Sequence, residues 1–115
     1  MSDRTLDLYL EDVLDAVNKI EGYVRGMTKE QFAQDAKTID AVIRNIEIIG
    51  EAARKIPEVK RLQHPTVPWK QVIGARNKAI HEYFGIDIDI LWKTIQEDIS
   101  NLKEETERMR KETNI

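Results

Sequence analysis

Leu6-Asp7-Leu8-Tyr9-Leu10-Glu11-Asp12-Val13-Leu14-Asp15-Ala16-Val17-Asn18-Lys19-Ile20, near the start of a 115-residue chain, decides the fold. Leu6, Leu10, Val13, Val17 and Ile20 recur at spacings of three and four, and Val24 extends the series. Side chains spaced this way fall along one side of a 3.6-residue helix, while acids, Asn18 and Lys19 populate the other side. The spacing predicts a helix from about Asp3 to Val24, stopped by Gly26. A stripe of this length needs other helices to cover it.

Those helices follow in the sequence. Thr28-Lys29-Glu30-Gln31 has the order of a capping box and opens a short helix through about Gln34. A third helix is predicted from about Asp35 to Ile56, with Ile39, Val42, Ile43, Ile46, Ile49, Ala53 and Ile56 as its stripe and Pro57 ending it. From Pro57 to Val67 the period is lost, and Pro57, Pro65 and Pro68 mark a connector with one helical turn at 58–63. A fourth helix is expected from Pro68 to Phe84, stopping at Gly85. Asp87 or Asp89 caps a fifth, whose stripe is Ile88, Leu91, Ile95, Ile99, Leu102 and Met109 and whose densely charged last turns are expected to fray. No strand pattern or repeat occurs. The reading is all-α: one domain over residues 1–115, an antiparallel four- to five-helix up-and-down bundle.

Composition sets limits on function. Charged residues make up 34% and hydrophobic ones 41%, a balance that suits a folded helical protein. The absence of cysteine rules out disulfides and thiolate metal sites and fits a reducing cytoplasm. Met1-Ser2-Asp3-Arg4 leads straight into the amphipathic pattern without the apolar stretch of a signal peptide, and no apolar run is long enough for a bilayer. The expectation is a cytoplasmic protein with no membrane partner. The net charge of −3 disguises an uneven distribution. Arg54 to His81 holds seven Lys/Arg and one acid, or +6, leaving −9 for the remainder. Local positive potential attracts phosphate even on an acidic protein.

Chemistry concentrates at the end of that basic segment, in Arg76-Asn77-Lys78-Ala79-Ile80-His81-Glu82-Tyr83. Imidazole exchanges protons near neutral pH, and guanidinium grips phosphate oxygens as a fork. Together they form a minimal kit for cleaving a phosphodiester by attack of a ribose 2′-hydroxyl, with no metal or other cofactor. Closeness in sequence is not convergence, however. At about 100° per residue, Arg76 and His81 point about 140° apart on a straight helix. His81 shares a face with Asn77, and Arg76 shares one with Tyr83. One substrate meets both edges only if the helix deforms, the long Arg wraps, or a second copy completes the site. Gly74 permits close approach of another backbone. On the third helix Arg44, Glu51 and Lys55 recur on a polar side that also carries Ile48, an apolar residue suited to a partner contact.

Gly74-x-Arg76-Asn77-x-x-x-His81-x-Tyr83 resembles the Arg-x4-His-x-Tyr motif of HepT-like proteins in the HEPN superfamily. The likeness extends to Tyr9-Leu10-Glu11-Asp12, to Thr38-Ile39-Asp40-Ala41-Val42-Ile43-Arg44-Asn45 running on to Ile49-Gly50-Glu51-Ala52-Ala53, to Pro68-Trp69, and to Glu82-Tyr83-Phe84-Gly85-Ile86-Asp87. It covers most of residues 5–105. The resemblance implies a dimerising helical bundle and a metal-independent endoribonuclease toxin with a composite site at the homodimer interface. Arg76 and His81 would be the catalytic pair and Asn77 their polar support. Lys78 occupies a variable position of the motif, and its charge favours RNA, as do Lys70 and Arg44. Tyr83 would be where a cognate MNT-type nucleotidyltransferase antitoxin attaches AMP. Some members of the superfamily are non-catalytic, which makes a helical binding module for a nucleotidyltransferase the alternative.

Overall fold

A computed structural model describes residues 3–74 and 87–113 of the chain. Helix α1 spans Asp3–Val24, α2 Lys29–Ala33, α3 Ala36–Lys55 and α4 Glu58–Leu62. Residues 69–74 begin α5. Helix α6 spans Ile88–Lys93, a π turn Thr94–Asp98, and α7 Ile99–Thr113. The described residues hold no strand, so the all-α expectation is met. The predicted course of the fourth helix from residue 75, its stop at Gly85 and the segment Arg76–Tyr83 lie outside the described residues.

The decisive stripe behaves as its spacing requires. Leu6, Leu10, Val13, Val17, Ile20 and Val24 are all buried, several of them completely. Helix α3 covers one side of α1 and α7 another. Both run antiparallel to α1. Lys55, at the end of α3, lies 5.8 Å over the ring of Tyr9 near the start of α1. On α7, Arg110 bonds Asp7 and Lys103 bonds Glu21. One core cluster runs along α1, α2, α3 and the last helical rod; Leu6, Leu10, Ile56 and Met109 make a second at one end, and Trp69 packs against both.

Local chemistry sets the helix ends. Gly26 stops α1 at φ +77°, a left-handed conformation that costs glycine little. The Thr28 hydroxyl accepts from the Gln31 N–H, and the Gln31 side chain accepts from the Thr28 N–H, completing the capping box. Phe32, fully buried on α2, lies 5.2 Å from the Trp92 ring and plugs one end of the core. Asp35 caps α3 through the Thr38 N–H, and Asp87 caps α6.

Two features depart from the sequence reading. The expected fifth helix contains a π turn, where the Ile99 N–H reaches back to the Thr94 carbonyl. Leu91 before it, Ile95 within it and Ile99 after it are all buried, so the wider turn interrupts the regular helix without exposing the stripe. The charged end of this rod also holds together to Thr113 instead of fraying. Met109 is fully buried, and the Arg110 guanidinium donates to Asp7 at 2.8 Å.

The connector before α5 is pinned by a buried histidine. His64 is 4% exposed, with Nδ1 2.9 Å from Glu105 and Nε2 3.2 Å from Glu112, both on α7. The Trp69 indole N–H donates to the His64 carbonyl, and Asn101 donates to the Thr66 carbonyl. The root of α5 is thereby tied to the last helix. The His64 ring N–H holds the Glu105 carboxyl below its ordinary range, helped by Arg108 and opposed by burial.

Two stability measurements follow from this packing. Phe32→Ala should destabilise the fold by about 3–5 kcal/mol in urea titrations, the usual cost of emptying a buried aromatic site. Glu105 has a lowered native pKa, so its contribution is present above the ordinary carboxyl range and disappears as pH falls through the native value. Urea midpoints for the parent and Glu105→Gln should therefore differ at about pH 7 and converge towards about pH 3. A constant difference across that range would contradict this origin.

Candidate active site

Helix α3 buries Val42, Ile43, Ile46, Ile49 and Ala53 and turns a second face outward. On that face Arg44, Glu47, Ile48, Glu51 and Lys55 follow one another at helical spacing, with the buried Ala52 beside them. Because α1 lies antiparallel beside it, Asp12 completes the wall, and together these residues line an open groove of about 340 Å³. Ile48 and Ala52 contribute apolar surface, and Ile48 also packs against the main core cluster. The remaining lining residues are charged, three carboxylates against two cations.

The charges are arranged in pairs. Arg44, largely exposed, donates to Glu47 at 3.4 Å, and Arg54 donates to Glu51 at 2.7 Å. Exposed pairs one turn apart contribute little to stability, about 0.3–0.5 kcal/mol, and can be exchanged for other partners at small cost. Such a groove presents both signs beside an apolar strip. It is suited to another charged surface of matching pattern more than to a bare anion.

Of the predicted site residues, Arg44 lies in the groove, beside Ile48, Glu51 and Lys55 of the same helix. Lys70 is exposed at the root of α5 and is not among the groove's lining residues. Arg76, Asn77, Lys78, His81 and Tyr83 lie outside the described residues. Glu47 and Asp12 were not singled out as groove residues by sequence reading. Glu47 was legible from its place three residues after Arg44. Asp12 required knowing that α1 packs antiparallel to α3. Among the described residues, no cluster of His, Asp or Glu is arranged to hold a metal ion, and no helix is long and apolar enough to cross a membrane.

The basic segment is also less free than its charge count suggested. Arg54 is paired with Glu51, Arg61 donates to the Ile56 carbonyl, Lys55 stands over Tyr9, and His64 is buried between two glutamates.

Comparison with known proteins supplies the context for these residues. The family described as Ribonuclease HepT-like matches residues 13–109. A protein of Thermococcus cleftensis named "Probable ribonuclease HepT" is 48% identical over 103 residues, covering 90% of this chain and 94% of its own. Methanocaldococcus jannaschii has a protein named "Putative RNase MJ1380" that is 41% identical over 107 residues, covering 93% of this chain and 98% of its own. No solved structure matches the chain. A match that takes in the second half of α1, all of α3, the Arg76–Tyr83 segment and most of α7 leaves one assignment: the chain belongs to the HepT-like ribonuclease family.

Proposed function

We propose that the chain is a metal-independent endoribonuclease toxin of a HEPN/MNT toxin–antitoxin system, acting as a homodimer. The observation that carries this reading is the family match over residues 13–109, which contains Arg76 and His81 at the motif's spacing. In this reading His81 takes the proton from a ribose 2′-hydroxyl. The oxygen attacks the adjacent phosphorus, the bond to the 5′-oxygen breaks, and that oxygen leaves with a proton. The products are a 2′,3′-cyclic phosphate and a free 5′-hydroxyl. Arg76 holds the phosphate oxygens and stabilises the charge that builds on them. Asn77 orients the imidazole or the phosphate, while Lys78 and Lys70 contact the RNA backbone; Arg44, whose charge the sequence reading gave to RNA, lies in the groove and serves the dimer in this proposal.

The dimer answers the angular divergence of Arg76 and His81, because a second copy supplies from outside what one helix cannot aim inward. The charge pattern of the groove supports it. In a two-fold interface the same surface meets itself, so a patch must be complementary to itself. Arg44 and Lys55 near Asp12, Glu47 and Glu51 provide both signs for such pairing. Tyr83 shares the Arg76 edge of an ideal helix, so AMP added there by an MNT-type nucleotidyltransferase puts phosphate charge beside the guanidinium and displaces RNA.

Purified protein should cleave RNA in excess EDTA, leaving cyclic phosphate ends. His81→Ala and Arg76→Ala should each lower kcat by about 10²–10⁴-fold. Full activity in both variants would dismiss the mechanism, and loss of parental activity in EDTA would dismiss metal independence. Intact RNA with the parent, together with a stable nucleotidyltransferase complex, would leave a non-catalytic binding module. Incubation with a cognate nucleotidyltransferase and ATP should add one or more AMP masses to the parent and none to Tyr83→Phe.

A further inference from the structure

The outward face of α3 carries Asp40, Arg44, Glu47, Ile48, Glu51 and Lys55 along most of the helix. Asp40, Arg44 and Lys55 are exposed, and Glu47, Ile48 and Glu51 are half-buried. From Asp40 the signs run minus, plus, minus, then beyond Ile48 minus and plus. A helix laid antiparallel on its own copy about a two-fold axis brings together residues equally far before and after the axis. The order of charge along the helix therefore selects where the axis can fall.

We propose that two copies of the chain join along α3 with the axis between Glu47 and Ile48, so that Arg44 meets the partner's Glu51 and Lys55 meets the partner's Asp40. Arg44 lies three residues before Glu47, and Glu51 lies three after Ile48. Asp40 lies seven before Glu47, and Lys55 seven after Ile48. The two-fold repeats each pair, and Ile48 falls beside the axis, where its open surface meets its own copy. The inference rests on the homodimer of the reading above and assigns its seam.

Other registers set like charges together. Moving the axis one turn either way lays Glu51 on Glu51 or Arg44 on Arg44. Moving it half a turn lays Arg44 on Lys55 or Asp40 on Glu51. Like charges opposed across an interface repel, which leaves the register centred on Glu47 and Ile48. A shallow crossing of about 20° separates the outer pair sideways by only about 4 Å, within a lysine's reach.

The contacts within one chain leave room for these pairs. Arg44 donates to Glu47 at 3.4 Å and Arg54 to Glu51 at 2.7 Å. A guanidinium has five N–H donors and a carboxylate about four acceptor positions, so each can hold a second partner. Lys55, 5.8 Å over the Tyr9 ring, likewise keeps N–H donors for a carboxylate.

Charge reversal and cross-linking test the seam. Arg44→Glu sets two carboxylates together at each copy of the pair, and Glu51→Arg sets two guanidiniums together. In sedimentation equilibrium each variant alone should dimerise about 10–100-fold more weakly than the parent. Mixed, the two should form a heterodimer of near-parental strength, because both copies of the pair are then of opposite sign. Circular dichroism confirms that each variant is folded. The chain has no cysteine, so Ile48→Cys reports proximity without background. Under mild oxidation it should form a disulfide-linked dimer, while Val59→Cys, 63% exposed on α4 in the parent, should stay monomeric on denaturing gels.

Variants that dimerise like the parent, together with an Ile48→Cys protein that does not cross-link, would overturn the α3 seam and leave a dimeric ribonuclease standing. A parent that is monomeric at micromolar concentration would remove both the seam and the homodimer. Heterodimer rescue in a protein that leaves RNA whole sustains the seam and removes the ribonuclease reading.

Discussion

Covering the apolar stripe of α1 is the constraint on which the rest depends. Six residues from Leu6 to Val24 must leave water together, and one neighbouring helix is too narrow to hide them. Helix α3 takes one flank and α7 the other, both antiparallel to α1. Each large aliphatic side chain so buried is worth about 1.5–3 kcal/mol against exposure. That gain orders a chain with no disulfide or described metal cluster. It also determines what remains outside. Once α3 turns Val42, Ile46 and Ile49 inward, Arg44, Ile48 and Lys55 have only the groove to occupy.

Helix boundaries were legible because their signals are local. Gly26, the Thr28–Gln31 box, Asp35, Pro57 and Asp87 each act within four residues of where they sit in sequence. The observed ends of α1, α2 and α3 and the start of α6 fall on or next to the predicted ones. The π turn had no such local signal: the stripe from Ile88 to Leu102 keeps an ordinary helical period through it, so nothing in the spacing sets Thr94–Asp98 apart. The orderly end of α7 escaped notice for a different reason. A run such as Glu107-Arg108-Met109-Arg110-Lys111-Glu112 looks solvated until Asp7 and His64 arrive from far along the chain to meet it.

His64 is the clearest case of a residue whose meaning lies outside its neighbourhood. In sequence it sits between Gln63 and Pro65 in a basic, proline-marked connector with no period. In space it bridges 41 residues to Glu105 and 48 to Glu112. The candidate site divides along the same line. Arg44, Ile48, Glu51 and Lys55 share one helix and were visible as a set, whereas Asp12 joins them only through the packing of α1 on α3.

Counting charge along the sequence overstated what an RNA strand would meet. The +6 of residues 54–81 is an inventory, and several of its members already have structural work. Arg54 binds Glu51, Arg61 closes onto a carbonyl, and Lys55 lies over an aromatic ring beside a carboxylate-lined groove. A protonated His64 would be neutralised where it stands, between two carboxylates. Among the described cations of this stretch, Lys70 is exposed at the root of α5. Only clustered, unspent charge releases counterions from a nucleic acid. The groove, with three acids interleaved among two bases, is poorly suited to a bare phosphate backbone. In the dimer proposed above, its mixed signs would meet their own two-fold copy and leave RNA to cations elsewhere on the chain.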